Sequence, residues 1–310
     1  MKKICVIGSL NFDLTVTVPR FHLPGETIFG TDFKMYTGGK GGNQAVAAAK
    51  LGADVMMAGC LGDDSNAGIY RALMKDLQIR DQVRTVPGLS SGTALIEVSS
   101  SGENRIVVVS GANMAVDTAM IDEYEELISD CDIILLQLEI PLDTVVYIAE
   151  KFHPAGKTVI LDPAPAVLLP DRLLKNLDFI TPNETEFSLL TGCSAESEAG
   201  IREGTEKLIT GGCRNVIVKL GVRGAVLAAS DGISCFPGFR VDAVDTTAAG
   251  DTFNAAFAAA LASGKKVPEA ITFANAAGAL STTAPGAQSA MPSLDRVNQL
   301  LTEKRDTFTG

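Results

Sequence analysis

Two carboxylates flank a short turn of hydroxyl-bearing and small residues in the stretch Asp245-Thr246-Thr247-Ala248-Ala249-Gly250-Asp251-Thr252-Phe253. Small apolar residues continue to Leu261, which predicts a helix that begins at the second carboxylate. The N-terminus of a helix attracts an anion through its free N–H groups and its dipole. A carboxylate is costly there, so we interpret Asp251 as a proton acceptor in phosphoryl transfer. An aspartate in an ordinary N-terminal turn is the alternative that this stretch alone leaves open.

Apolar runs alternate with helical stretches through most of the 310 residues. The runs are continuous, which is typical of strands buried on both faces of a parallel sheet. The pattern predicts an α/β fold with a doubly wound, mostly parallel sheet flanked by helices. The predicted strands are 4–8, 55–58, 133–138, 159–161, 179–181 and 216–220. The predicted helices are 43–51, 67–77, 117–129, 143–152, 184–190, 201–210, 251–263, 268–282 and 293–304.

Four strand-like segments have no helix between the members of each pair. Segments 14–18 and 27–35 form one pair, and 93–98 and 105–109 form the other around a polar turn. They predict a small separate sheet, inserted at about 14–36 and 93–110 into a single domain of residues 1–310. One face of this sheet has nothing beneath it, so we expect it to act as a lid over an active site or as the contact of a homodimer.

The composition argues against several classes of function. A net charge of −11 disfavours nucleic acid or an anionic membrane as the main partner, and no apolar run approaches a membrane span. Six cysteines without a Cys-x-x-Cys pair argue against a zinc site or a disulfide framework, and most are expected to be buried thiols. The apolar start at 4–8 is too short for a secretion signal. We therefore expect a cytoplasmic protein.

Polar side chains follow two of the predicted strands. Asn11 and Asp13 come after the first strand, and Glu139 comes after strand 133–138. Ligands of parallel α/β sheets bind at the carboxyl ends of the strands. These side chains are therefore candidates to bond the hydroxyls of a polyol, with ordinary polar loop residues as the alternative.

A glycine-rich loop, Gly38-Gly39-Lys40-Gly41-Gly42-Asn43-Gln44, leads into the first predicted helix. Its glycines permit close backbone approach and left-handed dihedral angles. The loop does not match a Walker sequence, because Gly41 follows Lys40 where Ser or Thr is required, and it does not match the dinucleotide fingerprint. We therefore expect Lys40 and Asn43 to serve a hydroxylated substrate.

Two further segments are candidates for a nucleotide site. The amide and acids of Asn183-Glu184-Thr185-Glu186 suit a Mg²⁺ ion held partly through water, although a plain helix start is the favoured alternative. The segment Lys219-Leu220-Gly221-Val222-Arg223-Gly224 closes strand 216–220 and is consistent with a nucleotide that lies over a glycine loop.

In this order the motifs resemble the ribokinase (PfkB) family of carbohydrate kinases. The resemblance is carried by the glycine-rich segment 38–43 and by 245–251 with its helix, and it extends from Ile7 to about Pro292. It implies an ATP-dependent kinase for the primary hydroxyl of a pentose, with D-ribose as the expected acceptor. Other acceptors, namely 2-deoxyribose, another sugar or a nucleoside, are alternatives. A non-catalytic sugar-binding protein of the same fold is the alternative from a different class.

The resemblance also implies roles for individual residues. Asp251 is the base that deprotonates the attacking hydroxyl, and the amides of Ala248, Ala249 and Gly250 hold the developing phosphate charge. The implied sugar-binding residues are Asn11, Asp13, Gly39, Lys40, Asn43, Glu139 and Asp251. The implied ATP-binding residues are Asn183, Glu186, Lys219, Gly221, Gly224, Gly250 and Asn275.

A monovalent cation, usually K⁺, is implied behind the turn. The implied cation-site positions are Asp245, Thr247, Ser281, Ala284, Gly286 and Ala290, with Ser281, Ala284 and Gly286 contributing backbone oxygens. Three positions depart from the family pattern. Ala290 stands where Ser is common, so water would replace that ligand or the ligand would be absent. Lys219 replaces a small hydroxyl residue, and Asp162 stands where Asn is common.

Overall fold

The structure is a computed structural model that describes residues 1–306. Its strands form two separate β-sheets, one of nine strands and one of four. The strands are β1 Lys3–Ile7, β2 Asn11–Val18, β3 Asp32–Gly38, β4 Asp54–Gly62, β5 Arg80–Val86, β6 Gly92–Ser99, β7 Asn104–Val109, β8 Ile133–Leu136, β9 Thr158–Leu161, β10 Phe179–Ile180, β11 Asn215–Lys219, β12 Ala225–Ala229 and β13 Gly232–Phe236. The helices are α1 Lys40–Lys50, α2 Ser65–Asp76, α3 Thr118–Glu123, α4 Glu125–Ser129, α5 Leu142–Phe152, α6 Asp171–Leu174, α7 Glu184–Thr191, α8 Glu198–Thr210, α9 Ala249–Ala262, α10 Val267–Ser281 and α11 Leu294–Asp306.

The large sheet is covered by helices on both faces, as its continuous apolar strands predict. Its order is β13-β12-β11-β10-β9-β8-β1-β4-β5. All neighbours from β11 to β5 are parallel, and β12 and β13 are antiparallel at one edge. Alternate residues of β1 face different cores: Ile4 and Val6 pack with α1, α9 and α10, while Cys5 and Ile7 pack with α5, α7 and α8. The predicted doubly wound fold is confirmed.

The carboxyl ends of the parallel strands share one edge of this sheet, and a polar residue lies at or shortly after the end of each of five adjacent strands. In spatial order along β11, β10, β9, β8 and β1 these residues are Lys219, Asn183, Asp162, Glu139 and Asn11. Crossover connections return every strand in the same direction, so residues far apart in sequence become neighbours here. This edge positions the candidate site.

The small sheet has the order β3-β2-β6-β7, with β2 and β6 parallel and the other neighbours antiparallel. The predicted strand 27–35 is wrong in its bounds, because pairing with β2 begins at Asp32 opposite Thr17 and ends at Gly38 opposite Asn11. The residues between Val18 and Asp32 form the loop that connects β2 to β3, and this loop includes Gly25 with a φ of 79°. The four predicted strands nevertheless form one sheet.

Other expectations need correction. The single predicted helix 117–129 is two helices, α3 and α4, because Tyr124 has a φ of −99° and a ψ of 10° between them. Strands β5, β12 and β13 were not predicted; β5 is polar in alternation, and β12 and β13 are short.

Five cysteines are buried, and Cys235 is exposed. In the part of the chain that the structure describes, no helix combines the length and apolar character of a membrane span.

Candidate active site

Helix α9 begins at a strained turn. Ala248 is its N-cap and has a φ of 59°, a left-handed conformation that is unusual for alanine. The N–H of Ala249 donates to the Thr246 carbonyl at 3.2 Å. Within residues 1–306 we find no hydrogen bond from the N–H groups of Ala248 and Gly250, so these two amides face the cavity free to bind an anion.

Asp251 lies in the first turn of α9 and is only 6% exposed. Asn43 donates to its Oδ2 at 2.8 Å, and Gln44 donates to its Oδ1 at 3.3 Å, so helix α1 orients both oxygens. Burial raises the pKa of Asp251, and the charge of Lys40 and the two amide donors only partly offset this. A carboxylate with a raised pKa is a better proton acceptor than an ordinary aspartate.

Lys40 supplies the positive charge beside this carboxylate. Burial alone would lower its pKa, but the charges of Asp251, Asp162 and Glu139 outweigh burial and raise the pKa above the usual lysine value. Its backbone N–H also donates to Glu139 Oε2 at 3.1 Å. The preceding Gly39 has a φ of 81°, and a Cβ there would lie 2.7 Å from the Asn11 nitrogen, so only glycine fits.

Asp13 lies close enough to Glu139 and Asp251 for their charges to act on it, and the sugar-binding role of Asn11, Asp13 and Glu139 stays a prediction. Asn113 donates to Asn11 Oδ1 at 2.7 Å, and Ser9 donates to Glu139 Oε2 at 2.5 Å. Burial, followed by the charges of Glu139 and Asp251, raises the pKa of Asp13 to about 6. Three carboxylates that repel one another in the absence of substrate can accept bonds from sugar hydroxyls.

The sequence did not identify a second layer of polar residues that holds this group. Gln288 donates to Asn43 Oδ1 at 3.1 Å and to the Tyr70 hydroxyl at 2.8 Å. Gln44 and Asn113 also belong to this layer. Gln44 directly follows Asn43 in the glycine-rich motif, and Gln288 ends the segment Gly286-Ala287-Gln288, which itself carries the family resemblance, so both had a sequence signal. Asn113 and Tyr70 had none, because only the fold brings them close.

Asp251 and Lys40 also line a cavity of about 810 Å³, whose wall does not include Asn11, Asp13 or Glu139. All seven residues predicted to bind ATP line it, namely Asn183, Glu186, Lys219, Gly221, Gly224, Gly250 and Asn275. Asn275 donates to the Phe236 carbonyl at 3.1 Å and so holds the segment after β13 against α10. Phe239 and Val241 add apolar walls, which suit the flat face of a base.

Asn183 and Glu186 form the N-terminal cap of α7. The Asn183 side chain accepts from the Glu186 N–H at 2.8 Å, and Glu186 Oε2 accepts from the Asn183 N–H at 2.8 Å. These two residues therefore cap the helix, as the alternative interpretation of the sequence predicted. Glu186 also lines the cavity, so the cap does not exclude a role there. No cluster of three or more His, Cys, Asp or Glu side chains that could hold a metal ion occurs within residues 1–306. The residues fit a Mg²⁺ ion bound mainly by phosphates and water.

Asp245 ties the turn before α9 to the segment after α10. Its Oδ1 accepts from the Thr247 N–H at 2.9 Å, and its Oδ2 accepts from the Gly286 N–H at 2.9 Å. Burial acts to raise its pKa, but these bonds outweigh burial and lower it. No hydrogen bond joins Asp245 to the three other predicted positions, Ser281, Ala284 and Ala290, in the described chain. The structure therefore links Asp245 to Thr247 and Gly286, and the cation site stays a prediction.

Comparison with known proteins agrees with this geometry. The sequence pattern of the pfkB family of carbohydrate kinases matches residues 1–294. A ribokinase of Haemophilus influenzae is 40% identical over 301 residues, which cover 97% of this chain and 98% of that protein. A deoxyribokinase of Salmonella typhimurium is 38% identical over 300 residues and covers 96% of this chain and 98% of its own. The structure of Arabidopsis thaliana ribokinase complexed with ribose and ATP is 37% identical, has a TM-score of 0.92, and covers 97% of this chain and 98% of its own.

Proposed function

The chain belongs to the pfkB family of carbohydrate kinases, and we propose that it transfers a phosphoryl group from ATP to the primary hydroxyl of D-ribose, which gives D-ribose 5-phosphate. One observation carries the proposal. Asp251 stands at an anion-binding helix N-terminus between the polar group around Asp13 and the cavity of about 810 Å³. A sugar hydroxyl on one side and a triphosphate on the other would meet at this carboxylate.

The chemistry follows from the order of these groups. A hydroxyl has a pKa far above 7, so Asp251 accepts its proton only as the bond to phosphorus forms. Asn43 and Gln44 hold the carboxylate so that it can face the hydroxyl. The amides of Ala248 and Gly250 stabilise the charge that develops on the phosphoryl oxygens. Positioning and charge stabilisation therefore supply most of the acceleration.

Sugar recognition is assigned to the group beneath the small sheet. Asn11, Asp13 and Glu139 bond the ring hydroxyls, and the backbone of Gly39 and Lys40 closes the site from the side of α1. This assignment is supported by the bonds that join Asn11 to Asn113, and Glu139 to Ser9 and to the Lys40 N–H. Carboxylate and amide oxygens accept more than one hydrogen bond, so those that keep spare capacity here select a ligand rich in hydroxyls.

Two metal ions complete the proposal. Mg²⁺ would neutralise phosphate charge, and Glu186 would hold it through water. K⁺ or another monovalent cation would bind behind the turn at Asp245 and Thr247, where it would stabilise the conformation that frees the Gly250 amide. The tie between Asp245 and Gly286 supports this assignment. The alanine at 290 removes a side-chain ligand, so we expect only a modest response to K⁺.

We also propose that residues 1–310 form a single kinase domain whose small sheet is both a lid and a dimer contact. A row of apolar side chains crosses one face of this sheet through paired positions, Met35, Leu14, Leu95 and Val107. Met35, Leu95 and Val107 are 44%, 48% and 62% exposed. A second copy of the sheet would cover this face. The neighbouring row, which includes Asp13, points to the other face.

The described cysteines are free thiols, which is consistent with the cytoplasmic location that we propose. The reducing cytoplasm would keep them so. Neither nucleic acid nor a membrane is a proposed partner, in line with a net charge of −11.

A panel of acceptors tests the proposed substrate. Steady-state rates are measured with ATP and Mg²⁺ on D-ribose, 2-deoxyribose, fructose, tagatose and adenosine, each with and without K⁺. We expect kcat/KM to be highest for D-ribose. A preference for 2-deoxyribose would favour the second candidate, for which the 38% identity to a deoxyribokinase speaks. A preference for a nucleoside or hexose would overturn both.

A further inference from the structure

Two residues that depart from the family pattern contact each other. Lys219 Nζ lies 2.9 Å from Asp162 Oδ1, and the two side chains are 11% and 3% exposed. Lys219 ends β11 and Asp162 follows β9, so the pair crosses the edge of the sheet over β10. The two unusual residues therefore compensate each other, because the Lys219 ammonium pairs with the Asp162 carboxylate.

The ammonium group lies beside the anion-binding turn. A Cβ placed on Gly250 would be 3.4 Å from Lys219 Nζ. Gly250 is in the first turn of α9 and offers a free amide, so the lysine adds a full positive charge where the helix dipole already favours an anion. Lys219 and Asp162 both line the cavity of about 810 Å³.

The hydrogen bonds of the pair leave capacity for a ligand. An ammonium has three N–H donors, and within residues 1–306 the bond to Asp162 is the one we find for Lys219. The other oxygen of Asp162 accepts from Gln44 at 3.1 Å, and Gln44 also donates to Asp251. Gln44 of α1 thus fixes the Asp162 carboxylate, and this carboxylate in turn fixes the ammonium group of Lys219.

The acidic residues of the cavity wall explain why a cation such as Lys219 is needed if the cavity binds a phosphate group. Four acids line this wall, and together they would repel a triphosphate: Asp162, Glu184, Glu186 and Asp251. The cationic residues that line the same cavity are Lys40, Lys219 and Arg240. A buried ion pair gains little over apolar residues of the same volume, because both charges lose their hydration. Stability alone therefore does not explain the pair, whereas a phosphate ligand for the two unused donors does.

We propose that Lys219 binds the terminal phosphates of ATP and that Asp162 is the positioning residue that holds its ammonium beside Gly250. One N–H stays on Asp162 while the other two turn to phosphate oxygens. Lys40 and Lys219 then bind the phosphates from two sides. This inference rests on the proposed function, since it assumes that the cavity takes ATP.

Calorimetry with ATP, ADP and AMP tests the proposal in the absence of sugar. For Lys219→Met we expect affinity for ATP to fall about 10–100-fold, as for loss of a charge-assisted bond, with a smaller loss for ADP and almost none for AMP. Lys75→Met is the matched control, because Lys75 is exposed on α2 away from the cavity, and it should behave as the parent. Equal losses for ATP and AMP, or no loss for ATP, would overturn the role of Lys219.

The positioning role of Asp162 needs a second readout. Asp162→Asn keeps the lysine but frees its ammonium, so we expect KM for ATP to rise severalfold while the affinity for D-ribose stays unchanged. The double variant Asp162→Asn with Lys219→Met removes both buried charges, and we expect it to fold with the melting temperature of the parent and to bind ATP no more weakly than Lys219→Met alone. If the effects of the two substitutions simply add, the pair is not coupled and the positioning role is wrong.

Failure of the proposed substrate would be seen separately. If no sugar in the acceptor panel is phosphorylated but Lys219→Met still weakens ATP relative to AMP, the nucleotide role of Lys219 stands without the sugar assignment. If the parent binds no ATP at all, both proposals fall.

Discussion

Asp251 combines two properties that rarely occur together: it is almost fully buried, and its neighbours both raise and lower its pKa. Burial and the charge of Asp162 favour the protonated form, while Lys40, Asn43 and Gln44 favour the carboxylate. The net effect raises the pKa of Asp251, which makes its carboxylate a better proton acceptor. The role of a single residue here depends on side chains from α1 and from the end of β9.

Asp251→Asn tests this role directly. We expect kcat to fall about 10²–10⁴-fold, because the positioned proton acceptor is lost while the anion-binding amides remain. The rate is measured by coupled detection of ADP with D-ribose as acceptor. An unchanged melting temperature and an unchanged shift on adding D-ribose show that the site is intact. Retention of most of the parental turnover would rule out a general base at this position.

Asp13 should make the free protein less stable at neutral pH than it is in acid. Its pKa in the folded chain is about 6, against an ordinary value of 3.8, so the folded form holds the proton more tightly than the unfolded chain. Between these two values the free energy of unfolding falls as the pH rises, and above pH 6 the full destabilising contribution is present. Substrate binding would offset this cost.

Asp13→Asn is therefore expected to stabilise the free protein at pH 8 by about 1–2 kcal/mol and to abolish sugar binding. Urea unfolding at pH 8 and at pH 4.5 checks the first part, since the difference from the parent should shrink at the lower pH. Calorimetric titration with D-ribose checks the second. A variant that is less stable than the parent at pH 8 would contradict the assigned environment of Asp13.

At the scale of elements, the start of α1 shows how a motif in sequence becomes a contact. The glycines of the loop are needed because the helix begins against β1 and the backbone that follows it. A Cβ on Gly41 would lie 2.7 Å from the Gly8 carbonyl carbon and 2.7 Å from the Ser9 nitrogen. Backbone atoms cannot yield as a flexible side chain does. The close approach brings Lys40 and Asn43 to the same edge as Asn11.

Gly41→Ala should destabilise the protein by about 2 kcal/mol or more, because the added methyl group meets fixed backbone. Gly68→Ala in α2 is the matched control: nothing lies within 4 Å of its added Cβ, and alanine favours a helix over glycine. We expect the control to gain about 0.5–1 kcal/mol. Thermal and urea unfolding measure both. Equal effects would mean that the approach of α1 to β1 is less tight than the structure shows.

Elements were predictable where one physical signal dominated. The continuous apolar runs of β1 and β8 identify buried parallel strands, and the small apolar residues of α9 identify a helix packed on its neighbours. Strand β5 was missed because its polar residues alternate at the edge of the sheet, where one side is open to solvent. The shift of β3 arises because pairing register, set by β2, outweighs local propensity.

At the scale of the whole molecule, the site depends on contacts that sequence spacing cannot supply. The Asn43–Asp251 bond joins residues 208 positions apart, and the Gln288–Asn43 bond joins residues 245 apart. The family resemblance placed the first pair in one site, because both motifs carried recognisable residues. It gave no partner for Asp162 or Lys219. Their ion pair depends on the order of β9, β10 and β11 in the sheet, which the sequence does not reveal.

The same reasoning extends to the assembly, because the small sheet has two faces with different tasks. Asp13 points to the face of the proposed sugar site, and the adjacent residue Leu14 points to the apolar row with Leu95. If a second copy covers that row, the contact fixes the sheet and thereby Asp13. Dimer formation and sugar affinity should then be lost together, while ATP affinity is spared, because the nucleotide cavity is built entirely from other elements.

Leu95→Glu places a charge in the middle of the apolar row and should convert the proposed dimer to a monomer near 32.4 kDa by light scattering. We expect KM for D-ribose to rise about tenfold, since the lid strand loses its support, with little change in KM for ATP. Leu127→Glu, on the exposed side of α4, is the control and should remain dimeric with parental kinetics. If Leu95→Glu becomes monomeric with an unchanged KM for D-ribose, the sheet orders itself without a partner, and the coupling between assembly and sugar binding is wrong.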